Sequence, residues 1–430
     1  MVPELTRRRL LGGVAVTGVG GGVAMAPRTW YPNPVVDRMI GYRRLPDTDT
    51  QPAPPESTIR EGLESLERHL EEAETLWKGV DTDRDDLPDA ARMGPTLLGD
   101  ATDRYQELRE SNPDRRALAN LRVAHGYAGY AIGAGRVVRG ETDAQGLVDR
   151  GEEIRSEIAA LRETIEYRGE NPATDVATLY WIERPLHFAR LNSHRSGMYM
   201  GGVAPAEAYQ DYDIPRTWEA HLQADVHVLE SRHAYREYES GGGEDGDTFD
   251  SGLETLFERF DEEVEATRQS DEERKELREA LAEGAYGHAR YQCWQFTHGS
   301  LETVSDGGPT GGLDLLQTVR HARNVLKLRA YPDAVERFVF DEGERIDPAL
   351  VYREEKRAAT RARELVEAHD TPLFRLLVDD AIRLLRVGDH GLPDDDRARA
   401  RADAYAYYLV GHTQLRHASD VYETMLAALE

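Results

Sequence analysis

A single cysteine, Cys293, in 430 residues excludes any intramolecular disulfide and any cluster of thiolate metal ligands. Trp294 and Phe296 lie next to it, a setting that suits a buried, inert thiol. Lysine is almost as scarce: Lys78, Lys275, Lys327 and Lys356 are the only ones among 53 basic residues. Catalytic signatures are missing too. The chain has no Gly-x-Ser-x-Gly elbow, no Walker-type phosphate loop and no Gly-x-Gly-x-x-Gly opening a helix, which removes the common nucleophile and nucleotide-binding motifs. His-Glu-x-x-His does not occur. Glu-x-x-His occurs once, at Glu230 and His233, where a ferritin-like di-iron bundle needs two. No metal and no cofactor is implied. An Asn-x-Ser/Thr sequon is also lacking, so N-glycosylation is not expected.

Positive charge is in short supply overall. Eighty acidic residues leave a formal net charge of -27. Nucleic acid is therefore not an expected partner, because no basic face is available to meet phosphates. Such a surface repels itself at low ionic strength, and salt of about 1 M shortens the Debye length to ~3 Å and removes that penalty. Acidic, arginine-rich, lysine-poor composition of this kind resembles that of proteins from halophilic archaea. An acidic mesophile protein encoded in a GC-rich genome is the other source that fits.

From Glu56 onward the hydrophobic pattern is helical. Ile59, Leu63, Leu66, Leu70, Ala73 and Trp77 recur at alternating four- and three-residue steps, as do Leu147, Gly151, Ile154, Ile158, Leu161 and Ile165. Tyr405, Tyr408, His412, Leu415, Ser419, Tyr422, Leu426 and Leu429 repeat the pattern near the C-terminus. This spacing puts an apolar stripe on one helix face. No segment alternates with period two, so no sheet is expected. Asn112 before Pro113, Asn171 before Pro172 and Thr371 before Pro372 read as helix N-caps followed by proline at the first helical position. Pro185 predicts a kink or a new helix start. In residues 123–138, Gly129 and Gly133 form a small-xxx-small pair. They predict a central buried helix whose neighbours approach closely, although each glycine costs ~1 kcal/mol of helix propensity.

The fold class is therefore all-α. About a dozen antiparallel amphipathic helices are expected, as a helical-hairpin array or as two packed helical bundles. The glycine- and aspartate-rich loop at 240–247 separates two helical halves, 56–239 and 248–430. Two stretches concentrate polar and aromatic residues. On a helix through 286–303, His288, Gln292, Gln295 and Glu302 share one side, with His298 at its edge. In 180–200, Glu183, His187, Asn192 and His194 lie near Pro185. His288, Gln292, Gln295, His298, Glu183 and His187 are the candidate ligand-binding residues. Helix packing is the preferred account of them, since buried polar groups are hydrogen-bonded as a rule. No residue stands out as catalytic.

Residues 6–11, "TRRRLL", place Thr6, Arg7, Arg8, Leu10 and Leu11 around Arg9. A weakly apolar, glycine-rich run follows and ends in "AMA" at Ala24–Ala26. Residues 1–26 thus resemble a twin-arginine (Tat) export signal. The resemblance implies passage across the cytoplasmic membrane in the folded state, with the Tat translocase as a transient partner. It implies an extracytoplasmic location, at the cell surface or secreted. Pro27 directly after Ala26 is unfavourable for cleavage there, which leaves cleavage after Ala24 or retention as an N-terminal membrane anchor. The 17 uncharged residues after Arg9 are marginal against the ~20 needed to span a bilayer. Residues 27–55 hold seven prolines and read as an extended linker.

Two functions follow. The first is an exported, non-enzymatic helical scaffold or binding protein with an unidentified protein partner. The second is a helical enzyme or small-ligand-binding protein with a cavity between helices. Composition alone predicts that circular-dichroism melts give a higher Tm in molar salt than in low salt. An unchanged Tm would contradict the salt-adapted reading.

Overall fold

The computed structural model describes residues 43–82, 87–193, 206–243, 246–267, 271–279, 284–301, 314–338, 346–389 and 397–430. The export-signal residues, His194 and Glu302 lie outside them. Among the described residues there are thirteen α-helices, and the fold is all-α with helix packed on helix. The first six are α1 (Glu56–Trp77), α2 (Gly94–Glu110), α3 (Arg115–Arg139), α4 (Ala144–Thr164), α5 (Pro172–Ser193) and α6 (Asp213–Ser240). Next come α7 (Asp250–Thr267), α8 (Asp271–Glu279), α9 (Ala285–Thr297) and α10 (Asp314–Glu336). The last are α11 (Pro348–Ala368), α12 (Pro372–Gly388) and α13 (Arg397–Leu429).

Local chemistry sets the helix ends. Asn171 Oδ1 accepts from the Ala173 N–H at 3.1 Å, and Thr371 Oγ1 accepts from the Phe374 N–H at 3.3 Å. Both therefore cap as their sequence position predicts. Asn112 does not cap. Helix α3 starts two residues later, where Asp114 Oδ1 accepts from the Ala117 N–H at 2.7 Å. A carboxylate satisfies the same orphan donor and also opposes the positive helix end, so Asp114 is the better cap. At the other end of α3, Gly140 adopts φ 69°. That left-handed turn returns the Glu141 N–H to the Arg136 carbonyl at 2.9 Å. Pro185 does not divide its helix: α5 runs through it from Pro172 to Ser193.

The described residues fall into two compact units. One holds residues 50–258 together with 314–319 and 426–430 and is built around α3. Within it α3 packs against α1, α2 and α6, and α6 also receives α4 and α5. Residues of the predicted stripe in α1 (Ile59, Leu66, Leu70) join Leu118, Leu121 and Val226 in one apolar cluster. The glycines of α3 act as the pattern predicts. A Cβ on Gly129 would lie 2.5 Å from the Trp218 carbonyl oxygen, and one on Gly133 would lie 2.6 Å from Pro215 Cα. Helix α6 therefore lies against α3 backbone to backbone. Arginines tie the rim: Arg136 to Glu72 at 2.7 Å, Arg150 to Asp225 at 2.5 Å and Arg122 to Glu230. Arg139 donates to the carbonyls of Leu76, Thr75 and Lys78 at 2.7, 3.2 and 3.1 Å, closing the C-terminal end of α1.

One short pairing departs from the expectation of no sheet. Arg168–Gly169 (β1) pairs antiparallel with Asp247–Thr248 (β2). Glycine explains it: a Cβ on Gly246 would lie 2.0 Å from the Gly169 carbonyl carbon, so only bare backbone fits.

The second unit comprises residues 43–49, 259–301 and 320–425 of the described chain. It is built around α12, where Leu373, Phe374, Leu377, Ile382 and Leu385 are buried. Gly411 of α13 brings its backbone close, since a Cβ there would lie 2.9 Å from the Ala381 carbonyl oxygen. Residues 43–49, in the proline-bearing stretch read as a linker, have no helix, yet they are not a free spacer. Thr48 is 2% exposed and donates to Asp379 Oδ1 at 2.5 Å. Arg386 donates to the Pro46 carbonyl at 3.0 Å, Arg375 to that of Asp47, and Arg43 to the Tyr352 hydroxyl at 3.0 Å.

In an exposed helix position, Gly→Ala stabilises by up to ~1 kcal/mol through propensity. Gly99→Ala, with nothing near its Cβ, is expected to show that gain in urea unfolding. Gly129→Ala should instead lose about 1–3 kcal/mol, because the new methyl meets an immovable carbonyl.

Candidate functional site

The candidate residues divide between the two units. His288, Gln292, Gln295 and His298 belong to the α12-centred unit, and Glu183 and His187 to the α3-centred unit. His288 is buried, with Nε2 2.6 Å from Asp403 Oδ1. Gln292 and Gln295 are half-buried, and the Tyr291 hydroxyl donates to Gln295 Oε1 at 3.3 Å. Helix α9 ends at Thr297, so His298 is its C-cap and donates its N–H to the Trp294 carbonyl at 2.8 Å. Its ring lies parallel to Trp294 with centroids 6.4 Å apart and edge-on to Tyr331 at 4.8 Å. Cys293 between them is fully buried, which pushes its thiol pKa up and keeps it protonated.

Glu183 is completely buried in the α3-centred unit. It accepts from the Tyr167 hydroxyl and, at 2.6 Å, from the Leu316 N–H. Leu316 lies in the first turn of α10, where a carboxylate meets both an orphan donor and the positive helix end. His187 is half-buried, edge-on to Phe188 at 5.8 Å. Phe188 in turn stacks on His227 at 5.6 Å. Glu230 and His233, the lone Glu-x-x-His pair, turn to different partners. Glu230 pairs with Arg122, while the ring nitrogens of His233 lie 2.8 Å from Glu61 Oε2 and 3.0 Å from Ser57 Oγ. Among the described residues, no group of three or more His, Cys, Asp or Glu side chains is placed to hold a metal ion.

The periodicity missed other buried polar chemistry. In α10, Arg323, Asn324 and Lys327 are 7%, 2% and 5% exposed. Lys327 Nζ reaches Asp380 Oδ2 at 3.0 Å and the Ser300 carbonyl at 3.1 Å. Arg323 donates twice to the Leu376 carbonyl, at 3.1 and 2.6 Å. Burial alone would raise the pKa of Asp380, but the Lys327 and Arg323 cations more than offset it and bring it down to about 2. His412 of α13 pairs with the buried Glu354 of α11, beside Arg337. Burial pushes the Glu354 carboxyl up, and the His412 bond and nearby charges outweigh it, leaving its pKa below the ordinary value. The one sequence signal for this network was Lys327 itself, a lysine in a chain that otherwise uses arginine.

The described residues include the linings of two surface hollows. One, of about 290 Å³, is lined by residues including Glu107, Ser111, Asn112 and Arg116 in the α3-centred unit. The other, of about 320 Å³, lies between residues 44–47 and Arg363, Glu367, Asp370 and Arg375 in the α12-centred unit. Both are open and charged. No described helix is long and apolar enough to cross a membrane.

Residues 57–245 match the family model of a domain of unknown function, DUF8262, and residues 246–427 match that of a second, DUF8264. No curated protein and no solved structure matches the chain.

Lys327→Met keeps the volume and removes the charge. It should cost up to about 3–5 kcal/mol in urea unfolding, because Asp380 then loses its buried cation and keeps only Arg323 and the exposed Arg383, 3.0 Å away. The Asp380 contribution is present above its unfolded pKa of ~3.9 and lost as pH falls toward about 2. Wild-type stability should therefore drop across that window, and the variant should lose that part of the pH dependence.

Proposed function

We propose that the chain is an exported helical scaffold or binding protein that works outside the cytoplasm and engages a protein partner. The observation that supports this most directly is the use made of the chemically capable side chains. Glu183 joins Tyr167 to the first turn of α10, His288 joins α9 to Asp403, and His298 stacks within an aromatic group. These residues hold helices together, which leaves recognition to the outer helix faces. Those faces are dominated by glutamate, aspartate and arginine, and paired helices of this kind present grooves and ridges for peptide or helix partners. The twin-arginine resemblance of residues 1–26 supports the location, and the net charge of -27 supports a salt-rich setting and argues against nucleic acid.

The test uses the full chain in its own host. Arg7→Lys with Arg8→Lys should trap the protein in the cytoplasm; unchanged localisation would reject the export reading. Cross-linking of the exported protein in molar salt, followed by mass spectrometry, should recover a recurrent protein partner and a mature N-terminus after Ala24 or Ala26, or an uncleaved one. Native mass spectrometry that finds a bound small molecule and no protein partner would favour the small-ligand alternative.

A further inference from the structure

Three imidazoles are sealed inside the α3-centred unit with one ring nitrogen unused. His125 of α3 and His221 and His227 of α6 are 1%, 1% and 8% exposed. In each, Nδ1 is buried and has no hydrogen-bond partner. His125 Nε2 lies 2.9 Å from the Gly62 carbonyl oxygen. A carbonyl only accepts, so Nε2 carries the proton and Nδ1 presents a bare lone pair. His69 of α1 adds a further ring, edge-on to His125 at 5.4 Å, with its Nδ1 buried and unpartnered as well.

A proton taken up by His125 or His221 must go onto Nδ1, where no hydrogen-bond acceptor waits. The charges that face them are mostly cations. His125 faces His69 and Arg68 of α1. His69 faces Arg68 and, from α4, Arg150. His221 faces Arg150 and Arg155 of α4 and the Ser193 backbone of α5. His227 faces Arg122 of α3 and Arg184 of α5. Glu230 Oε2 lies 3.7 Å from His227 Nδ1 and opposes the effect of burial on that ring, although it is also paired with Arg122. The position matters too. Gly126 and Gly129 follow His125 on the helix that meets α6 backbone to backbone, so little slack exists to admit water or a counter-ion.

Histidines of the α12-centred unit are placed differently. His288 contacts Asp403, His412 contacts Glu354, and His417 lies 3.3 Å from Asp333. His321 is the exception: burial lowers its pKa, although Asp261, 3.9 Å from its Nδ1, and Glu265 oppose this. A proton on His288, His412 or His417 meets a carboxylate.

We propose that the α3-centred unit is an acid-sensitive latch: protonation of His125, His221 and His227 opens α1 and α4 away from α3 and α6, while the α12-centred unit stays closed. Burial, reinforced by the neighbouring cations, holds His125 at about 3 and His221 and His69 at about 4; burial also lowers His227, with the Glu230 carboxylate opposing it. The sign follows. These folded values lie below the unfolded value of ~6.5, so the closed state binds fewer protons. Its stability is complete above ~6.5 and falls as pH drops toward about 4. Each histidine raises the opening constant by about tenfold per pH unit below ~6.5.

Hydrogen–deuterium exchange of the full chain tests this, in molar salt at pH 7.5, 6.5 and 5.5, with rates normalised to intrinsic exchange. Peptides of α1, α3 and α6 should exchange at least about tenfold faster at pH 5.5 than at 7.5, while those of α11 and α12 keep their rates. His125→Gln and His221→Gln keep a donor toward Gly62 and Ser193 and remove the titration. Each should flatten the acid step. If a variant does not fold, the wild-type contrast between the two sets of peptides decides alone. Equal loosening of both sets, no change in α1, α3 and α6, or a full acid step in both folded variants would overturn the proposal.

Discussion

The 2.5 Å gap between the Gly129 Cβ position and the Trp218 carbonyl is too small for any side chain, and the α3-centred unit is arranged around it. With the helix axes this close, side chains beside the contact must be small, flat or expelled to the rim. Ala124, Ala128, Ala131 and Ala134 fill the inner positions of α3 and are fully buried. Arg122, Arg136 and Arg139 leave the seam and bond at its edges. The apolar area buried by alanines is modest, so dispersion across a tight interface carries more of the cohesion here than in a leucine-rich core.

The α12-centred unit solves a different problem. Its α10 segment is buried on nearly every side yet carries Arg323, Asn324 and Lys327. Charges placed there are tolerated only with partners, and the partners come from the neighbouring helix: Asp380 and the Leu376 carbonyl of α12. Breaking one member costs far more than the pair contributes, so such networks enforce a single arrangement of the helices. A lysine suits this site because its compact ammonium reaches a carboxylate and a carbonyl together, where a planar guanidinium would need more room.

The elements themselves were legible because each depends on neighbours in sequence. Stripes at four- and three-residue steps, prolines after Asn171 and Thr371, and the Gly129–Gly133 pair all act within a turn or two of helix. The cap at Asp114 was obscured because Asn112, two residues earlier, has the same chemistry. The polar partners were not legible. Glu183 reaches Leu316 across 133 residues and His288 reaches Asp403 across 115. A sequence offers many acids for each such choice when it contains 80 of them. The grouping of His288, Gln292 and Gln295 on one helix face was a local reading, whereas the end of α9 at Thr297 set where His298 points.

Thr48 and Asp379, bonded within the α12-centred unit, are separated by 331 residues. At a synthesis rate of ~5–20 residues per second, the strap at 43–49 emerges roughly 15–70 seconds before the helix that receives it. Its seat does not exist until α12 has been made and folded, so the closing of this contact reports that α12 is in place. Residues 43–49 thus bind a seat completed long after their own synthesis, which makes the strap a marker of late folding in the α12-centred unit.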